Sequence, residues 1–294
     1  PVVAADTSIF QYHLTQLNVK PAWSITRGSG ARVAVLDSVI QPDHPEFVGR
    51  VVSTWDGAPL FTDTYSHATM VGGIVAAADD KFGTVGVAPE ATLISIPIFI
   101  TGQDIDDSLS AGISLAIGLN ADVINLAYQH PLGSTITYTK TEIQLQRAQD
   151  AGIVIVAGVG NFGCDCPTKP AILPTVISVG GTNEQSEIGT FSAYGDWVTI
   201  WAPGQSIRST SPGGRYTTVT GTSAAAPQIA AAAALLKSIN RNLTPVQIKT
   251  ILLSTVDSHG QPNIGDAVFS QRAKKFSLFF SGPIQNGALS ILNP

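Results

Sequence analysis

Short apolar runs stopped by turn formers alternate along this chain with stretches whose apolar residues recur at helical spacing. Residues 31–37, Ala-Arg-Val-Ala-Val-Leu-Asp, are apolar and β-branched, end in a carboxylate and predict a buried strand. Further strands are predicted over 91–100, 122–126, 153–157, 176–180 and 197–201. Between them, 67–78 is a small-residue run of helical character, 108–119 places Leu109, Ile113, Ala116 and Ile117 at helical spacing, and 141–151 is a more polar helix. An Ala-rich helix follows Ser223, with Pro227 expected in its tolerant first turn, and 244–255 forms another, capped by Thr244 with Pro245 at its first position. Residues 1–30 are polar and irregular apart from a short helix around Pro21-Ala22-Trp23, and the apolar, turn-rich tail 276–294 predicts a terminal strand pair.

Strands alternating with helices imply an α/β fold whose mostly parallel sheet is covered on both faces. No repeat, low-complexity tract or linker divides the chain, so one domain is expected over 1–294, with an N-terminal arm (1–21) and a C-terminal extension (276–294) packed on it. Ligands of such sheets collect at the carboxyl ends of the strands. Asp37 and Asn161 both fall at strand ends and are expected on one rim.

Composition narrows the function. The 294 residues are 44% hydrophobic and only 13% charged, enough for a large core under a surface rich in uncharged polar groups. A net charge of −5 without a Lys/Arg cluster argues against nucleic acid or an acidic membrane surface as partner, and no apolar run has the length of a membrane span. The start at Pro1, without Met or a signal peptide, reads as a processed or trimmed end. Cys164 and Cys166, one residue apart, either close a small disulfide ring suited to an oxidising compartment or remain free thiols; two thiols are too few for a structural metal site.

The candidate chemistry begins at Gly221-Thr222-Ser223. A Ser at the start of a helix has unpaired N–H groups and the positive end of the helix dipole beside it, which favours an alkoxide or oxyanion. Read alone, the stretch is more commonly a hydroxyl cap on a buried helix. Read alone, Asp37 is a turn former, His67 a satisfied histidine and Asn161 a turn residue. Together they supply what acyl transfer through a Ser requires: a base, a carboxylate to orient it, and a donor for the oxyanion. Their order along the chain, Asp, His, Ser, is that of one known hydrolase class. His13, His44, His130 and His259 have no comparable context.

These segments resemble the catalytic domain of the subtilisin-like serine peptidases, the subtilases, from about residue 22 to about residue 253. The matching residues are Asp37-Ser38 with His44-Pro45, His67-Ala68-Thr69-Met70-Val71-Gly72-Gly73, Val85-Gly86-Val87-Ala88-Pro89, Val159-Gly160-Asn161 and Gly221 to Pro227. The resemblance implies a serine endopeptidase. Ser223 would be the nucleophile, His67 the general base, Asp37 its orienting carboxylate and Asn161 the oxyanion donor. It also implies a secreted, monomeric enzyme that takes a peptide or protein as an extended strand, and family members are commonly made with a prosegment.

Several positions depart from the family pattern. Val39 stands in place of Gly, which would strain the turn and tilt Asp37 if that position needs a positive φ. Ala68 replaces Gly, Met70 replaces a second His, and Ala224 replaces Met. The substrate pocket is expected between Ala127, Tyr128 and Gln129 on one side and Gly158, Val159 and Gly160 on the other. Gln129 then rims it and narrows specificity, unless Tyr128 and Gln129 point to solvent. Gly102 and Gln103 resemble the edge strand that pairs with substrate. Asp80 and Glu46 match the side chains of a family calcium site, a structural Ca²⁺ not needed for the chemistry. The loop from Gly163 to Cys166 resembles that of subtilases that mature cyanobactin-type peptide precursors. Two alternatives therefore accompany the endopeptidase reading: a selective precursor-processing protease of peptide natural products, and an inactive subtilase-fold binding protein. A lipase or esterase is disfavoured because Gly221-Thr222-Ser223-Ala224-Ala225 lacks the closing Gly of G-x-S-x-G.

Overall fold

Alternate side chains of the central strands enter two different cores, so these segments are apolar throughout. Val33, Val35, Val123, Val154 and Val156 lie in one core, whereas Ala34, Leu36, Ile124, Leu126, Ile155 and Ala157 lie in the other. The structure, a computed structural model, describes residues 11–60, 65–132 and 138–280, the last seven by backbone alone.

The first half of the chain holds helices α1 (Tyr12–Gln16) and α2 (Val19–Ala22), strands β1 (Arg32–Asp37) and β2 (Val51–Ser53), helix α3 (Ser66–Ala76), strand β3 (Thr92–Pro97) and helix α4 (Ile105–Gly118). Strands β4 (Val123–Leu126) and β5 (His130–Pro131), helix α5 (Thr139–Asp150), and strands β6 (Val154–Gly158), β7 (Thr168–Lys169), β8 (Val176–Thr182) and β9 (Ile200–Pro203) follow. The chain then forms the hairpin β10 (Ile207–Ser211) and β11 (Arg215–Val219) and helices α6 (Thr222–Ile239), α7 (Pro245–Leu253) and α8 (Ile264–Phe280). The main sheet has seven strands in the order β2-β3-β1-β4-β6-β8-β9, and every pair is parallel.

Register sets the rim. Leu36 pairs with Leu126 and Leu126 with Ala157, so Asp37, Ala127 and Gly158 emerge side by side at the carboxyl edge, as the strand-end positions imply. Helices α3 and α6 cover one face and α4 and α5 the other. Helix α6 is buried almost all round, and its alanines let it lie close across β4, β6 and β8. Its end is held by the buried Lys237, whose ammonium donates to the carbonyls of Gly152 (2.8 Å), Arg241 (3.1 Å) and Leu243 (2.7 Å).

Local signals held where they rested on caps. Thr244 and Gln247 form the reciprocal capping box that starts α7, with Pro245 in its first turn. Other expectations need correction. Pro227 lies beyond the first turn of α6, where its missing N–H removes the helical partner of the Ser223 carbonyl. The strand expected at 197–201 begins at Ile200, because residues 195–199 instead make turn and loop bonds back to Gly195 and Ser178. Residues 276–280 continue helix α8 instead of starting a strand pair, and 281–294 lie outside the described residues. The periodicity did not single out β2, the two small ribbons or most of α8, which are short, half-exposed or polar.

Candidate active site

Asp37 ends β1 and is fully buried, with its Oδ2 2.6 Å from His67 Nδ1. Its Oδ1 accepts from the Ser38 amide at 2.6 Å, which fixes the carboxylate plane. The Ser38 hydroxyl accepts from the Ala68 amide at 3.1 Å, so the turn after β1 holds the first turn of the helix carrying His67. Burial pulls the His67 pKa down, but the charge of Asp37 and its hydrogen bond outweigh this and hold it above the ordinary value. Val39 is buried and is not among the described residues of positive φ, so the substitution for Gly leaves the turn unstrained and Asp37 in place.

Ser223 is the second residue of α6, as the hydroxyl-plus-alanine pattern predicts. The position of a β-carbon on Gly221 would be 3.2 Å from Ser223 Oγ and 3.1 Å from Asn161 Nδ2, so the Ser hydroxyl and the Asn amide crowd the same bare glycine. Asn161 has a defined orientation. Its Oδ1 accepts from the Thr222 amide (2.8 Å) and the Thr222 hydroxyl (3.2 Å), while Thr222 Oγ1 itself accepts from the Gly160 amide (3.1 Å). The amide nitrogen is thereby turned away from Thr222 and left as a donor beside Ser223. Gly158 is bare for a related reason: a β-carbon there would meet the Thr222 carbonyl and hydroxyl at 2.9 Å.

The structure also places residues that the sequence left unassigned. Strands β5 and β7 pair antiparallel, His130 with Lys169 and Pro131 with Thr168. Thr168 on this ribbon is buried, with its hydroxyl donating to the Val159 carbonyl at 2.8 Å. A β-carbon on Gly160 would lie 2.6 Å from the Phe162 ring and 3.3 Å from the Thr168 methyl, so both side chains pack against this glycine. Phe162 remains 45% exposed beside Asn161. Its place directly after the Asn was a usable signal; that of Thr168 depends on a ribbon the periodicity does not show.

Tyr128 does not point freely to solvent. It is half-buried and packs on Phe99 with ring centroids 6.1 Å apart, and Ala127 and Gln129 are half-buried beside it. Gly102 and Gln103 are not in an edge strand: residues 101–103 form a turn into α4, with Thr101 bonded to the Pro59 carbonyl and Gln103 to that of Ile100. They border a polar cavity of about 670 Å³ with Asp104 and Asp107. Another cavity, of about 530 Å³ beside Tyr12, Trp23 and Glu184, contains none of the four candidate catalytic groups. The four candidate groups lie at and just beyond the carboxyl edge of the sheet and at the start of α6, outside both cavities. Cys164 and Cys166 are joined by a disulfide, and the loop holding them is tied to its neighbour by the bond from the Tyr194 amide to the Cys164 carbonyl (3.0 Å).

Glu46 is 1% exposed, with Oε1 accepting from the Tyr216 phenol at 2.7 Å and Oε2 buried without a partner. Burial raises its pKa to about 7; the Tyr216 phenol opposes this, the nearby Asp80 charge adds to it, and the backbone amides of Thr84 and Ala78 lower it slightly. Asp80 turns its loop by accepting from the Phe82 amide at 2.9 Å. Among the described residues, no cluster of three or more His, Cys, Asp or Glu side chains forms a metal site.

Comparison with known proteins agrees with this geometry. The profile described as the subtilase family matches residues 28–273. Subtilisin NAT of Bacillus subtilis subsp. natto is 38% identical over 237 residues, covering 78% of this chain and 61% of the relative. Thermitase of Thermoactinomyces vulgaris is 33% identical over 256 residues, covering 84% of this chain and 88% of the relative. The solved structure of the prenylagaramide maturation protease PagA superposes with a TM-score of 0.77 at 30% identity, covering 86% of this chain and 98% of that one. The family match across both cores and the rim, together with relatives above 30% identity, shows that the chain belongs to the subtilase family.

Proposed function

We propose that this chain is a serine endopeptidase in which Ser223 Oγ attacks the scissile carbonyl carbon while His67 takes the hydroxyl proton. Asp37 keeps the Nδ1 proton of His67 directed at itself, so Nε2 is the basic nitrogen, and it stabilises the imidazolium that forms. The oxyanion accepts from Asn161 Nδ2 and the Ser223 amide. Collapse of the tetrahedral intermediate breaks the C–N bond, His67 returns the proton to the leaving amine, and water then hydrolyses the acyl-enzyme by the same steps. The observation that carries this reading is Asn161, whose carbonyl is occupied by Thr222 so that only its donor faces the nucleophile. Labelling with a fluorophosphonate tests it. Stoichiometric modification at Ser223, abolished in Ser223→Ala and His67→Ala, is expected; a folded chain that resists the probe supports the inactive binding protein instead.

A second reading, selective processing of a peptide precursor, draws support from the likeness to PagA and from the pocket wall pressed by Phe162 and Thr168. An extended substrate would run along residues 127–129, with Gln129 at its rim. Cleavage confined to a few sequences in a mixed peptide library is the outcome this reading expects, and even cleavage across the library defeats it. The disulfide in the loop after Asn161 supports work in an oxidising, extracellular setting. No described helix is long and apolar enough to cross a membrane.

A structural Ca²⁺ is part of the proposal. The unpartnered Glu46 oxygen, buried with a second carboxylate nearby, fits a hard cation that would relieve both charges and hold the 78–86 loop. A chelator is expected to lower the melting temperature, and calcium to restore it. An unchanged melting curve removes the ion from the proposal.

A further inference from the structure

The hairpin of β10 and β11 makes contacts that substrate binding and proton transfer leave unexplained. Ser209 and Thr210 are both fully buried on β10. Ser209 Oγ donates to the Met70 carbonyl at 2.6 Å and Thr210 Oγ1 to the Thr69 carbonyl at 2.6 Å. Those carbonyls belong to α3, two and three residues beyond His67, inside a helix whose ladder already offers them N–H partners. The hydroxyls are therefore not required to satisfy the carbonyls, and what they add is a fixed separation between hairpin and helix. The contact is close enough to demand a bare residue: a β-carbon on Gly73 would lie 2.3 Å from Thr210 Oγ1 and 2.5 Å from Ser209 Oγ.

The other side of the same helix turn is held by β1 and its exit. The Ala68 amide donates to Ser38 Oγ (3.1 Å), and the Gln41 amide donates to Thr69 Oγ1 (3.0 Å). The hairpin has its own anchors, since Tyr216, paired with Thr210, reaches Glu46 (2.7 Å) and Arg208 reaches the Gly83 carbonyl (2.9 Å). Strand β11 then ends at Val219, and the chain reaches Ser223 without another element in between. One short covalent segment thus grips the histidine helix at one end and carries the nucleophile at the other.

We propose that Ser209 and Thr210 are positioning residues that set the spacing of His67 from Asp37 and Ser223, an inference that rests on the peptidase reading above. Misplacement of a catalytic group by about 1 Å costs on the order of 10²-fold in rate. Loss of a brace that permits a smaller shift is expected to lower kcat about 10-fold and to leave KM within about twofold. A looser Asp37–His67 contact also removes part of what raises the histidine pKa, so the acid limb of the rate profile moves to lower pH.

The test compares the full chain with Thr210→Val, which keeps the shape, Ser209→Ala, and Thr210→Ser, which restores the hydroxyl. Steady-state kinetics across pH, fluorophosphonate titration of active sites and melting temperature are measured on each. Reduced kcat per labelled site and a shifted acid limb in Thr210→Val and Ser209→Ala, with Thr210→Ser close to the unmodified chain, support the brace. Lower melting temperature with unchanged kcat and pH profile overturns it, as does a Thr210→Ser variant as impaired as Thr210→Val. If one variant fails to fold, the other carries the same comparison. An unmodified chain inert to both peptide and probe sinks the peptidase reading itself, which is a different result from active variants.

Discussion

His67 carries the pH response of the site. Its pKa is held above the ordinary 6.5, and catalysis requires the neutral ring, so kcat/KM should rise only as pH climbs through that raised value. Half-maximal kcat/KM is expected above pH 6.5, and Asp37→Asn should both depress the rate and move the acid limb down; a limb unmoved by that change rejects the assignment. The stability contribution of the pair has its own sign. It is present in full below the unfolded pKa of His67 and fades as pH rises through the folded one. His13 behaves in the opposite way. It is buried with neither ring nitrogen partnered, and burial lowers its pKa to about 3. The unfolded chain therefore binds a proton near pH 6.5 that the folded chain refuses, and stability falls, by on the order of a few kcal/mol, as pH drops below 6.5. Melting temperature measured against pH should show a shallower acid decline in His13→Leu.

At the scale of elements, α6 matters most, because it presents Ser223 while running through the core. Near its carboxyl end the Lys237 ammonium donates to the carbonyls of Gly152, Arg241 and Leu243, which lie in neighbouring loops outside the helix. Burial, with a smaller contribution from the nearby Arg241 charge, lowers the pKa of this lysine, and the Asp122 carboxylate opposes them. Lys237→Met fills similar space without donors. It is expected to cost about 3 kcal/mol in denaturant unfolding, since one or more buried carbonyls lose their partner, with the reactivity of Ser223 retained at the distant end. A loss under 1 kcal/mol would mean that water reaches these carbonyls.

Across the whole molecule, the proposed substrate pocket draws on segments far apart in the chain. Residues 127–129 follow β4, residues 158–160 run on from the end of β6, and Thr168 comes from the β5–β7 ribbon. With Phe162 and Thr168 both against Gly160, the proposed pocket is expected to suit small side chains. In a peptide series varying only the residue before the cut, the unmodified chain should favour Ala over Phe. Thr168→Gly and Phe162→Ala should each shift kcat/KM toward Phe by about 10-fold, in line with a few methylenes of pocket space. An unchanged preference in both variants would place the selectivity elsewhere.

The amino-acid order alone determined the α/β alternation, the strand-end position of Asp37 and the helix-start position of Ser223, whereas Asn161 lies in the loop three residues past the end of β6. Each depends on local periodicity, turn residues or caps, which act between near neighbours. Four ordered motifs added the family and the candidate roles. Tertiary structure decided the rest. That Val39 leaves its turn unstrained is a matter of backbone conformation, and that Thr222 orients Asn161, that Thr168 bonds to Val159 and that Ser209 and Thr210 grip the histidine helix are contacts between residues as many as 141 positions apart. Such contacts leave no periodic trace, because a single hydroxyl or a missing β-carbon acquires its role only when packing brings its partner within bonding distance.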